Sequence, residues 1–426
     1  MNKFDLKKSL ILCEHTLPNG LRIVAAPRNN VPLICIHLAY RVGSKNDKLR
    51  KTGYAHLFEH LMFEGSKNLP KGGFDKLCSE AGGMNNAFTT YDQTSYYMTL
   101  PSNSLELGLW LEAERMQNLI ISQEVLDTQK GVVTEEIRQT VEEQPYGKWT
   151  GELSRAAYSD KSPYFWEIHG SIKDVKTAKL ADVQKYHDEY YNPANASLVV
   201  AGDIDVDETF KLIEKYFAGI KSKAKPKPDF TGNEKQLQFG KYSSFSENVP
   251  MPAVFLAFHC PGFIDDSINT AEILSFIAGM GRSSRLYQKL VYEKQIASYA
   301  TAYLDKRELS SLLIFYAIAN NTKTTNNELY NILSSEIQNF LNSQVKETEL
   351  TKARNQLTAQ LAYEMQYASG IAENLANLDL FWHKPERIYT ALGKYKQVSK
   401  KDIQTFAEKY LRSSLAIRVD AIVANN

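Results

Sequence analysis

Cysteine is scarce in this chain. Only Cys13, Cys35, Cys78 and Cys260 occur in 426 residues, and no two form a C-x-x-C pair. A disulfide scaffold and a thiolate zinc site are therefore not expected. Four ordinary, mostly buried thiols are the simpler expectation. Neither sign of charge is in excess: 50 Lys+Arg against 49 Asp+Glu leaves a formal net charge of +1. That balance gives no electrostatic reason to expect a nucleic-acid partner. Long apolar runs are also missing. Nothing approaches the roughly 18–20 residues that a membrane-spanning helix needs. The first apolar stretch, Leu10 to Cys13, is too short for a secretory core and is followed by Glu14 and His15. No Arg precedes Arg22, which argues against a transit peptide. A cytoplasmic protein is expected, or a periplasmic one if a leader has been removed.

The composition is that of a folded chain. Hydrophobic residues make up 43% and charged residues 23%, which excludes a disordered chain as a whole. At roughly 150 residues per domain, two to three domains are expected. One linker stands out. Residues 219–235, GIKSKAKPKPDFTGNEK, are rich in Lys, Pro and Gly and poor in apolar side chains. They separate a domain at 1–218 from one at 236–426. The two parts resemble each other. Asp182, Val183, Gln184, Tyr186 and Tyr190 match Asp402, Ile403, Gln404, Phe406 and Tyr410 at a constant offset of 402 − 182 = 220. In each copy an amphipathic helix leads into a short apolar strand, Ser197 to Val200 or Leu415 to Val419. Duplication explains this better than chance. Strands are also expected at Leu21 to Ala26 and Leu33 to Val42, with a turn at 27–30, and at Asn86 to Leu100. Blocks of strands beside helices predict an α+β fold with largely antiparallel sheets.

One segment carries chemistry. In TGYAHLFEHLMFEG, residues 52–65, Tyr54, Leu57, Phe58, Leu61 and Met62 recur at helical spacing. They fill an arc of about 140° on a helical wheel, and His56, Glu59, His60 and Phe63 fill an opposite arc of about 100°. One face packs into a core, and the other presents two imidazoles one turn apart. Histidines at i and i+4 can reach one zinc ion at roughly 2.0–2.1 Å. Glu59 sits beside them without having to bind, placed to take a proton from a water that zinc makes acidic. This order, H-x-x-E-H, reverses the commoner H-E-x-x-H. A solvated helix face with two ordinary histidines is the alternative.

A catalytic zinc site wants a third protein ligand and one open position. The best candidate lies in SQEVLDTQKGVVTEEIRQTVEEQP, a predicted helix with Ser122 as N-cap and Pro145 as stop. Val125, Leu126, Val132, Val133 and Ile137 form its apolar face. Glu136 falls about 20° from Val125 on the wheel and Glu135 about 80° away. A carboxylate on a buried face is costly unless it is paired or metal-bound. This singles out Glu136, although a helix-edge Glu reaching an Arg would look the same.

With these residues in view, the chain resembles the pitrilysin-type inverzincin metallopeptidases, which include insulin-degrading enzyme and the mitochondrial processing peptidase. In that family a ligand Glu follows H-x-x-E-H at the spacing seen here, 136 − 60 = 76. The resemblance implies His56, His60 and Glu136 as ligands of Zn2+ and Glu59 as general base. It extends over nearly the whole chain. LPNGLRIVAAPRNNVPLICIHLAYRVGSKND resembles the family's opening hairpin, and AGGMNNAFTTYDQTSYY its G-G-x-x-N-A-x-T segment. NPANASLVVAGDID resembles the end of its first domain. The implied fold is two homologous, ferredoxin-like-derived α+β domains forming half of a clamshell. The family adds its substrate as an extra strand to a sheet edge, here Asn86, Ala87, Phe88 and Thr89. Such backbone pairing gives affinity with little side-chain specificity.

Two positions depart from the family pattern. A Glu is usual seven residues before the ligand Glu, and here that residue is Gln129. It can hydrogen-bond but carries no charge, so its support of the metal site is expected to be weaker. The family also carries an Arg and a Tyr seven residues apart in its second half, where they contact substrate. Tyr299 matches the Tyr, but Tyr292 stands in place of the Arg. An intact zinc set with a broken Arg/Tyr pair looks like the catalytic subunit of a dimer. The partner would be a homologous subunit supplying that pair, or a second copy using Tyr299. The expected function is a zinc-dependent endopeptidase hydrolysing unfolded peptides in a closed chamber. The alternatives are a non-catalytic core subunit, and a peptide-binding or assembly subunit that keeps zinc.

Overall fold

The computed structural model describes residues 10–222, 226, 237–342 and 345–424. The linker expected at 219–235 lies mostly outside these residues. Eleven strands are described: β1 (Cys13–Thr16), β2 (Arg22–Pro27), β3 (Leu33–Tyr40), β4 (Met84–Thr89), β5 (Thr94–Pro101), β6 (Ala196–Gly202), β7 (Tyr242–Phe245), β8 (Ala253–Pro261), β9 (Ala297–Asp305), β10 (Ser310–Ala319) and β11 (Ile417–Ala421). The helices that carry the argument are α1 (Tyr54–Leu61), α2 (Gln123–Ile137), α3 (Trp149–Ala157), α4 (Leu180–Tyr190), α5 (Ala368–Trp382) and α6 (Lys400–Tyr410). The fold is α+β. Among the described residues no helix is long and apolar enough to cross a membrane. All four cysteines are free, and three of them are buried.

The first sheet has six strands in the order β1-β2-β6-β3-β5-β4, and the second has five in the order β7-β11-β8-β10-β9. The duplication is visible in this order. β6 follows α4 and lies parallel to β2 and antiparallel to β3. β11 follows α6 and lies parallel to β7 and antiparallel to β8. The repeat spaced by 220 residues thus occupies equivalent places in the two sheets.

The chain forms two compact units, and they are not the linear halves 1–218 and 236–426. The first takes Met1–Thr134, Ile168–Asp229 and Gln360–Leu392; the second takes Glu135–Glu167, Phe230–Ala359 and Gly393–Asn426. Each unit borrows a helix from the other half of the sequence. In the first unit, α5 packs against β2, β3 and β6. Ile371, Ala372, Leu375 and Ala376 meet Val24, Ala26, Cys35, Ala39, Val199 and Ala201 there. In the second, α3 packs against β7, β8 and β11. This is why the central strands, such as LICIHLAY and ASLVVAG, read as apolar runs rather than alternations: both faces of the sheet are covered.

The α5 contact is also polar. Asp379 is fully buried and accepts from Arg22 Nε at 2.9 Å and from Ser197 Oγ at 2.6 Å. Those bonds satisfy a carboxylate that would otherwise be costly to bury.

Candidate metal centre

Helix α1 is short, and its own sequence gives it no cap. Gly53 precedes it at φ 87°, and a Cβ there would come 2.5 Å from the His169 carbonyl oxygen. Only glycine fits that approach. The cap comes from further upstream. Asp47 is buried, and its Oδ2 accepts from the Gly53 N–H at 2.6 Å and the Tyr54 N–H at 3.1 Å. Its Oδ1 accepts from the Ala55 N–H at 3.2 Å and the Tyr186 hydroxyl at 3.1 Å. Three orphan donors of the first turn are thereby satisfied by one carboxylate. Burial pushes the Asp47 carboxyl up to about 7, against the pull of those hydrogen bonds.

The far end of α1 is fixed from the sheet. Tyr96 on β5 is fully buried and donates to the Phe58 carbonyl at 3.0 Å. Phe58 stacks on Tyr186 with ring centres 5.6 Å apart. Just past the helix, Phe63 packs edge-on against Phe74, and the buried Arg115 guanidinium lies over Phe63, Phe74 and Tyr96. Tyr54, Leu57, Phe58, Leu61 and Met62 are all buried, as the periodicity predicts.

On the other face the two imidazoles meet. The His56 and His60 rings are 5.0 Å apart between centres and nearly perpendicular. His56 is buried and His60 half-buried. Glu59, also half-buried, lies between them in sequence. One donor atom from each of His56, His60 and Glu136 lies within 4.8 Å of the other two. No other such group of three occurs among the described residues. Two imidazole nitrogens and one carboxylate oxygen, this close together, fit a single zinc ion with one position open.

Glu136 reaches this place on the last turn of α2. Val125 N–H bonds to Ser122 Oγ at 3.2 Å, so the expected N-cap is there. The boundary between the two units falls inside α2, between Thr134 and Glu135. Regular helix ends at Ile137 and passes into a wider turn over Arg138–Glu142. Glu135 points outward and pairs with Arg138 at 3.1 Å. The choice between the two adjacent carboxylates therefore follows the helical wheel. One part of that wheel is corrected: Val132, counted with the apolar face, is 46% exposed, whereas Leu126, Val133 and Ile137 are buried. Helix α2 buries a narrower stripe than its five apolar residues suggest.

Gln129 is buried on α2 and donates to Glu64 Oε1 at 2.6 Å. Glu64 also pairs with Lys71 at 2.8 Å. Asn86, Ala87, Phe88 and Thr89 lie on β4, which bonds to β5 alone and forms one edge of the first sheet. Helix α1 packs against this strand. Tyr299 belongs to the second unit. It lies on β9, an edge of the second sheet, is 50% exposed, and sits 5.6 Å from the Tyr316 ring. Tyr292 is 68% exposed.

The sequence did not point to Asp47, Tyr96 or Arg115, and it marked Tyr186 only as part of the repeat. Glu64 left a faint signal, four residues beyond His60.

The chain is similar to known proteins over most of its length. Residues 23–163 match the family profile described as insulinase, peptidase family M16, and residues 177–357 match the one described as the peptidase M16 inactive domain. The chain is 30% identical over 361 residues to the zinc protease PqqE of Helicobacter pylori, covering 84% of this chain and 81% of that protein. The chain belongs to the M16 peptidase family. Another relative is a probable mitochondrial-processing peptidase subunit beta from Arabidopsis thaliana, 24% identical over 93% of this chain and 75% of that one. The crystal structure of a protease from Helicobacter pylori superposes with a TM-score of 0.90 at 27% identity, covering 97% of this chain and 99% of that chain. At family level the chemistry is peptide hydrolysis with zinc. His56, His60 and Glu136 all fall within the span of the first M16 profile.

Proposed function

We propose that this M16 member is itself a zinc-dependent endopeptidase acting on unfolded peptides. The observation that carries the reading is the convergence of His56, His60 and Glu136 donors within 4.8 Å. These three residues would hold the ion. Zinc, when bound, polarises the scissile carbonyl and makes a water acidic. Glu59 takes the water proton as the water attacks, then passes it to the leaving amine. The substrate would lie along β4 as an added strand, at Asn86 to Thr89, the strand against which α1 packs. Backbone pairing of this kind favours extended, unfolded chains over folded ones.

The partner is part of the proposal. Tyr299 is exposed on an edge strand, but no Arg stands seven residues before it. The chain acts as the catalytic member of a pair. A homologous subunit supplies the Arg and Tyr, or a second copy contributes its Tyr299. An assay of the purified, zinc-loaded chain on an internally quenched mixed-peptide library, with a chelator control, tests the activity. Cleavage that the chelator abolishes is expected, from the chain alone or after adding a homologous subunit. Zinc binding with no cleavage under either condition would favour the peptide-binding alternative.

A further inference from the structure

We propose that Glu64 is a positioning residue that sets the spacing of the metal-binding helices through Gln129. The inference rests on the metal centre of the proposed function.

His56 and His60 ride on α1, and Glu136 rides on α2. Three ligands on two helices can share one ion only if those helices keep a fixed separation. The Glu64–Gln129 hydrogen bond, 2.6 Å long, runs directly between the two segments. Glu64 lies four residues beyond His60, and Gln129 lies two turns before Glu136 on the same helical face. Both side chains are nearly excluded from water: Gln129 is 6% exposed and the Glu64 side chain 9%. A short hydrogen bond to an ionised acceptor is among the stronger kinds, and burial strengthens it further.

The segment bearing Glu64 is itself held. Phe63 beside it is clamped by Phe74 and Arg115. Gly65 follows at φ 134°, and its carbonyl accepts from the Ile120 N–H at 3.3 Å. Lys71 neutralises the outer side of the Glu64 carboxylate. The brace is therefore anchored at one end and carries one negative charge. Gln129 contributes the donor. This explains an amide at position 129: a carboxylate there would face Glu64 with no proton to share. Glu64 supplies the charge in its place.

The test exchanges the two groups. Gln129→Glu sets two buried carboxylates against each other, and like charges at such a distance repel strongly. That repulsion drives the two helices apart. Glu64→Gln combined with Gln129→Glu rebuilds the bond in the reverse direction, with the same single charge. Zinc affinity is measured by competition with a chromophoric chelator, and thermal unfolding of the metal-free proteins is measured alongside. Gln129→Glu should bind zinc about 10- to 100-fold more weakly, the range for loss of a partner supporting a metal ligand. The exchanged double variant should recover most of that loss. Unchanged affinity in Gln129→Glu would overturn the proposal. So would a double variant no better than the single, with or without a fall in melting temperature. Wild-type protein that takes up no zinc would overturn the metal centre, and this inference with it, before any variant is compared.

Discussion

Asp47 is expected to govern the stability of the motif helix without touching the metal. Replacing it with Ala removes the acceptor for three backbone N–H groups and the Tyr186 hydroxyl. Loss of an N-cap costs about 0.5–2 kcal/mol, and each buried donor left without a partner about 1–3 kcal/mol. These terms overlap, since one cavity can admit a water. A total of about 4 kcal/mol is expected for Asp47→Ala, a large share of a typical stability. The pH dependence separates the forces at this site. In the folded protein, burial pushes the Asp47 carboxyl up to about 7. In the unfolded chain an Asp titrates near 3.9, within about a unit. Between those values the folded state holds a proton that the unfolded state has released. The contribution of Asp47 therefore falls as pH rises from about 4 to about 7, by at most about 1.4 kcal/mol per pH unit, and levels off above. Urea unfolding of the metal-free wild type and of Asp47→Ala at pH 5, 6, 7 and 8 gives the difference directly. The wild-type advantage should be largest at pH 5 and shrink towards pH 8. An advantage that grows with pH would mean that the hydrogen bonds outweigh burial and hold the group ionised. That outcome would refute the reasoning.

Two further outcomes are expected. Glu59→Gln should bind zinc as the wild type does, yet lose about 100- to 10,000-fold in turnover, the usual worth of a positioned base; a quenched-peptide assay beside a zinc titration shows both, and retained cleavage would remove Glu59 from its role. Asp379→Ala should destabilise the first unit by about 3 kcal/mol, because Arg22 and Ser197 lose the buried carboxylate that pins α5; chemical denaturation measures the loss, and a change below about 0.5 kcal/mol would show that apolar packing alone holds the helix.

What could be read from the sequence was local and periodic. His56, Glu59 and His60 are set by the 3.6-residue repeat, and so is the choice of Glu136 over Glu135. The repeat at offset 220 was legible because helix and strand recur in register, and the sheets place both copies alike. What could not be read depends on long-range contacts. Asp47 caps α1 across a loop, so no capping pattern shows next to the helix. Tyr96 and Arg115 come from a strand and a helix more than thirty residues downstream. Val132 satisfied the periodicity but found no surface to cover. The borrowed helices were invisible for a different reason: α3 and α5 carry ordinary amphipathic patterns, and nothing in such a pattern names the sheet it will cover.

The exchange of α3 and α5 also orders events during synthesis. A ribosome that has passed β6 has made every strand of the first sheet. The face formed by Val24, Ala26, Cys35, Ala39, Val199 and Ala201 then has no cover. Its cover arrives only when the chain has been extended as far as Trp382, after most of the second unit. The nascent protein must therefore carry an open apolar sheet through much of translation, a natural client for a chaperone. Severing the chain at the linker would leave that face bare for good.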